Sequence, residues 1–213
     1  MQLFDENNLS PVRRRTLERL VNAALKLYKE DKFPSPEEIT REAEYAKVTL
    51  RSYFTTHSEF VEYVVKQVVG AAERPRMGAD AEENITHLLT WGYGELYSHE
   101  GLMRDAMRIS QHRWQTSHAA ENDDEEDFLC KRSNRREALT EALAPLESQL
   151  PQDKVQKLVM LMSVLYGTEA MTVLKDTFGL KQEEIIELTT WGAKLMLQQA
   201  LSQEKCFNEG DVP

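Results

Sequence analysis

Residues 35–54 read SPEEITREAEYAKVTLRSYF. Ser35 can cap a helix, Pro36 suits its first turn, and Glu38 can reach back to the cap nitrogen. Ile39 and Ala43 follow at helical spacing and face one side. A second fragment, expected from about Lys47 to Phe54, puts Leu50 and Phe54 inward in the same way. Between them lies Glu44-Tyr45-Ala46, with neither Gly nor Pro. The spacing predicts two short helices joined by a three-residue turn.

The flanks supply support for such a pair. Upstream, a helix is expected from about Pro11 to Asp31, with Leu17, Leu20, Val21, Ala24, Leu25 and Tyr28 as its apolar stripe. Downstream, a Thr56–Glu59 capping box opens a helix carrying Phe60, Val61, Val64, Val65 and Val68. It fades near Gly70, Pro75 and Gly78, a linker. Two short crossed helices held by a third make a helix-turn-helix, whose second helix fits the major groove. The inward set is Ile39, Ala43, Tyr45, Leu50 and Phe54. The outward set is Lys47, Thr49, Arg51 and Ser52, which suit phosphates or base edges, with Val48 suited to a thymine methyl.

The chain has 213 residues and a net charge of −10, with 41% hydrophobic and 29% charged residues. That allows a core and a soluble surface. Residues 1–75 hold 12 Lys/Arg and 12 Asp/Glu, and the remainder holds 14 and 24. The first third is therefore neutral, with a basic cluster at Arg13, Arg14 and Arg15, while the rest carries the acidity. Such asymmetry suits a small part that touches polyanions and a larger part that does not. With nine Gly and seven Pro, long helices are expected rather than strands. No run of about 18 apolar residues predicts a membrane span. The N-terminus has no secretory h-region. Cys130 and Cys206 have no CxxC partner, so free thiols in a reducing cytoplasm are expected.

Beyond the linker, the segment around Ile85, Leu88, Leu89, Trp91, Tyr93, Leu96 and Tyr97 is too apolar for a helix wet on one side. A further helix follows Gly101. The run ENDDEED at 121–127 reads as solvated charge rather than a cation loop, because calcium-loop spacing is absent. Two last helices are expected at about 152–178 and 182–204. Their apolar content exceeds one face, which points to pairing across a twofold axis into a four-helix bundle rather than to burial within one chain. The expected interface is Leu158, Met162, Leu165, Tyr166, Met171, Leu188, Trp191 and Leu195.

Residues 17–65 resemble the N-terminal DNA-binding domain of the TetR family of transcriptional regulators. Phe33, Ser35, Ile39, Leu50, Tyr53 and Phe54 carry the specific pattern over about fifty residues. The helix count and the long final pair extend the likeness over almost the whole chain. The chain departs from the family where Thr40 replaces a usual Ala, Glu44 a Gly, Arg51 a frequent Tyr and His57 a frequent Lys. A left-handed residue at Glu44 costs about 1 kcal/mol relative to Gly.

The resemblance implies an all-α protein. Residues 1–56 would form a three-helix DNA-binding domain, with the motif at about 35–54. Residues 57–213 would form a larger helical domain for ligand binding and dimerisation. It implies a homodimeric cytoplasmic regulator, a repressor by family expectation, released from a palindromic operator in double-stranded DNA by a small apolar or aromatic effector. Expected DNA contacts are Ser35, Lys47, Val48, Thr49, Arg51, Ser52, Tyr53 and His57. Expected pocket residues are Trp91, Tyr93, Glu95, Tyr97, Met103, Arg104, Met107, Arg108 and Trp114, against the alternative that these are ordinary core. A rival reading is a helical dimer that binds a ligand or protein and has lost DNA binding. No Gly-rich phosphate loop, HExxH or GxSxG occurs, so no enzyme and no cofactor are expected. Glu83/His87 and Glu95/His99 stand about 18 Å apart along one helix and cannot share a metal ion.

Overall fold

The computed structural model describes residues 9–30, 33–119 and 133–210. Among them the fold is all-α, and no strand occurs. The helices are α1 (Pro11–Tyr28), α2 (Pro36–Glu42), α3 (Val48–Arg51), α4 (His57–Ala71), α5 (Ala81–Ser98) and α6 (Glu100–Ala119), then α7 (Ser133–Leu143), α8 (Gln152–Leu165), α9 (Thr168–Thr172) and α10 (Gln182–Gly210). A 3-10 segment, Ala144–Ser148, follows α7, and a π turn, Val173–Thr177, follows α9. No single helix among the described residues is long and apolar enough to cross a membrane. The acidic run 121–127 and Cys130 lie outside the described residues.

The chain forms two compact units, Met1–Ala72 with His99–Ala120, and Glu73–Ser98 with Glu121–Pro213. The division does not fall at residue 56. α6 packs against α1 and α4, and the apolar faces of α4 and α6 complete one core with the first three helices. Leu17, Leu20 and Ala24 from α1 meet Ile39, Leu50 and Phe54 from the motif. Phe60, Val61 and Val64 from α4 and Leu102 and Ile109 from α6 close the cluster. Phe54 stands edge-on to Phe60 at 5.4 Å between ring centroids.

Local signals set the motif. Ser35 accepts the Glu38 N–H at 3.3 Å, and the Glu38 carboxylate accepts the Ser35 N–H at 2.8 Å. This reciprocal cap fixes where α2 starts. Thr56 accepts from the Glu59 N–H, while the Glu59 carboxylate reaches one residue further back, to the Thr55 N–H. The second motif helix is shorter than the expected 47–54, although the Phe54 N–H still bonds the Leu50 carbonyl at 3.1 Å.

Glu44 makes the turn with φ 60°. The Tyr45 N–H bonds the Thr40 carbonyl at 2.8 Å, closing α2. Glu44 is exposed, so its side chain gains nothing from packing to offset the left-handed backbone. Glu44→Gly is therefore expected to stabilise the protein by about 1 kcal/mol, less the entropy Gly adds to the unfolded chain. Urea melts of the two proteins would show the midpoint move up; a lower midpoint would refute the strain.

In the second unit, α5 lies against α7 and α10, and α8 against α7 and α10. Leu88, Leu89, Tyr93, Leu139, Leu143, Met162, Met171 and Ile185 fill its centre. Buried Asn84 donates to the Gly78 and Ala142 carbonyls and accepts the Gly78 N–H, tying the segment before α5 to the end of α7. Gly92 lets the Tyr166 ring approach α5: a Cβ there would lie 2.3 Å from the ring.

The helix expected over 152–178 is broken. The chain leaves α8 at Tyr166 and passes through Gly167 at φ 137° into α9. Two side chains cover carbonyls at the break. The Tyr93 hydroxyl donates to the Leu165 carbonyl at 2.5 Å, and the Arg135 guanidinium, itself paired with the Glu169 carboxylate at 2.6 Å, donates to the Ser163 carbonyl at 3.3 Å. Those donors satisfy groups a continuous helix would have paired itself.

Candidate nucleic-acid interface

The motif presents one polar face. Leu50 is buried beneath it, while Lys47, Val48, Arg51 and Ser52 are exposed and Thr49 is half-buried. Val48 is 68% exposed, an apolar side chain held in solvent at the start of the second motif helix. Ser35 is engaged in its cap, and its hydroxyl also donates to Glu38 at 2.7 Å.

Arg13 turns toward this helix. Its guanidinium lies 4.9 Å from the Tyr53 ring centre and donates to the Ser52 carbonyl at 2.9 Å. The Tyr53 hydroxyl donates back to the Arg13 carbonyl at 2.9 Å. The start of α1 thus clamps the end of α3. Arg14 and Arg15 are exposed beside it.

Lys47 forms an ion pair with Glu37 of α2. That hydrogen bond first, then a backbone hydrogen bond and the charges of Lys47 and Arg51, hold the Glu37 carboxyl below the usual carboxylate range against the opposing effect of burial. Sequence reasoning passed over Glu37 because it reads as an ordinary acidic residue in the first turn of a helix.

His57 does not face outward as a phosphate contact would. Its Nε2 points at Asp105 of α6, 3.9 Å away, and its Nδ1 is buried without a hydrogen-bond partner. Asp105 is fully buried. It accepts from the Tyr28 hydroxyl at 2.7 Å and from the Arg108 fork at 2.7 and 3.0 Å. Three helices thus converge on one carboxylate. Burial lowers the His57 pKa, against the pull of Asp105; Arg108 also lowers it, and Glu37 raises it. The sign follows from linkage. As pH falls through about 6.5, the unfolded chain binds a proton that folded His57 resists, so stability is complete above that pH and declines below it. His57→Gln should flatten this decline in thermal melts between about pH 7.5 and 5. An unchanged slope would contradict it.

The expected pocket residues divide between the two units. Trp91, Tyr93, Glu95 and Tyr97 belong to the second unit, and Met103, Arg104, Met107, Arg108 and Trp114 to the first. Tyr93 is fully buried, with its hydroxyl on Leu165, and Trp114 is exposed. Arg104 pairs with Glu100 and Arg108 with Asp105. Of the expected interface residues, Leu158, Met162 and Met171 point into their own core, while Leu165 and Tyr166 are partly buried. Leu188, Trp191 and Leu195 are exposed on α10, and the sequence reading missed exposed Met160, Leu161 and Val164 on α8. The helical phase of Val155, Leu158 and Met162 carried that signal.

A transcriptional regulator from Rhodococcus sp. Rha1 has a similar structure, with a TM-score of 0.60 at 16% sequence identity. The match covers 87% of this chain and 97% of that one. The likeness is one of fold. No family model matches the chain, and no curated protein matches it.

Proposed function

We propose that the protein is a cytoplasmic, homodimeric, DNA-binding transcriptional regulator of the TetR type, whose DNA affinity responds to a small apolar or aromatic effector. The observation that carries this reading is the exposed face of Lys47, Val48, Arg51 and Ser52 on a helix whose opposite side is sealed in the core. The fold shared with a transcriptional regulator supports it. In this reading α3 enters the major groove, Lys47 and Arg51 meet phosphates or guanine, and Val48 meets a thymine methyl.

Dimerisation would use the exposed stripes on α8 and α10, helices that pack together within one chain. Spacing of i, i+1, i+4 on one and i, i+3, i+7 on the other suits a four-helix bundle with a second copy. Two reading helices could then address half-sites about one DNA turn apart. Effector binding is proposed for the aromatic-rich α5, where Trp91, Glu95 and Tyr97 are half-buried. A coupled response requires the effector to bind one DNA-affinity state better than the other.

Selection of bound fragments from random duplex DNA tests the reading. Enrichment of a near-palindrome is expected. Folded protein that enriches nothing would instead fit the dimer without DNA binding. Lys47→Ala should weaken binding to the selected fragment by roughly tenfold with the oligomeric state unchanged. Anisotropy titration would measure it, and full-strength binding would remove Lys47 from the interface.

A further inference from the structure

The proposal rests on the DNA-binding reading above and concerns a residue that reading does not use. Glu37 lies in α2 and Lys47 is the residue that precedes α3, and the two pair across the motif. Both are accessible, with side-chain exposures of 40% and 56%, so the pair can open without disturbing the core. Its neighbour Glu38 is committed to the Ser35 cap, and Glu42, at the far end of α2, pairs with Lys26 of α1. Glu37 is thus the α2 carboxylate paired to a residue of the reading face. A carboxylate on a lysine ammonium offers it what a DNA phosphate would offer: a compact anionic oxygen acceptor.

We propose that Glu37 is a specificity-determining residue that acts as an internal phosphate surrogate, occupying Lys47 until a duplex with enough other contacts displaces it. Non-specific DNA offers chiefly its backbone, and that electrostatic attraction is what a closed Glu37–Lys47 pair reduces. A cognate site adds base contacts from Val48 and Thr49, uncharged side chains that do not depend on the pair. The pair therefore subtracts more, proportionately, from random sequence than from the operator. An exposed ion pair is weak, so the effect should be severalfold and reversible.

Glu37→Gln tests this in the full-length protein, with Glu42→Gln as a control that removes the same charge from the same helix. Affinity for a random duplex and for the selected fragment would be read by anisotropy across a salt series. Glu37→Gln is expected to tighten random-duplex binding by about three- to tenfold beyond the control, and to tighten cognate binding less. The plot of log affinity against log salt should steepen by about one. In a Lys47→Ala background the Glu37→Gln effect should shrink to that of the control. Unchanged or weaker random-duplex binding, cognate binding tightened as much as random or more, or an equal effect without Lys47 would overturn the proposal. If wild type and all variants fail to bind duplex at low salt, the regulator reading itself falls and takes this inference with it.

Discussion

On the proposed dimer, Trp191→Glu is expected to leave the chain folded and make it monomeric. The indole is 60% exposed on α10, between Leu188 and Leu195, so its removal opens no cavity. In a twofold interface each change counts twice. A buried aromatic anchor is worth about 2 kcal/mol or more on truncation, so the dimer constant should weaken by roughly a thousandfold. A carboxylate in each copy adds desolvation to the loss. Sedimentation at micromolar protein would show monomer with an unchanged circular dichroism spectrum. Binding to a palindrome would fall with it, since one half-site would remain. A dimer of undiminished strength would place the interface elsewhere.

Asp105→Ala should produce the largest loss of stability in the first unit. The carboxylate is fully buried and holds the Tyr28 hydroxyl and the Arg108 fork. Its removal leaves the phenol buried without its acceptor and opens a cavity, at about 3 kcal/mol. Tyr28→Phe, which deletes the hydroxyl alone, should cost about 1 kcal/mol. Burial and the Asp105 bond both push the Tyr28 phenol's pKa up, so it stays a donor across the working range. Urea unfolding monitored separately in the two units would locate the loss. Equal melts for Asp105→Ala and wild type would deny the carboxylate its role.

The motif was legible because its signals are local. Ser35, Glu38 and Thr56 announce their caps within four residues, and Ile39, Leu50 and Phe54 follow helical spacing. The left-handed turn at Glu44 was anticipated only through the resemblance, in which Gly is usual at that position. Long-range facts were not legible. His57 turns inward because Asp105, on a distant helix, lies beneath it. The run LVMLMSVLY is apolar on every side, so its phase had to come from Val155, outside the run. The break at Gly167 depends on Arg135 and Tyr93 to supply donors, and neither lies near it in sequence. Tyr93 was expected in a pocket because it is aromatic; its hydroxyl is instead committed to that break.

The first unit is discontinuous: its last helix, α6, follows an excursion of the chain through residues 73–98. During synthesis, chains emerge at about 5–20 residues per second and domains close as units. Tyr28, Phe60 and Val64 must therefore wait on the ribosome until Leu102, Asp105 and Ile109 have cleared the exit tunnel. A nascent chain stalled soon after residue 72 would present an open apolar flank to chaperones, and one stalled well beyond residue 120 would not.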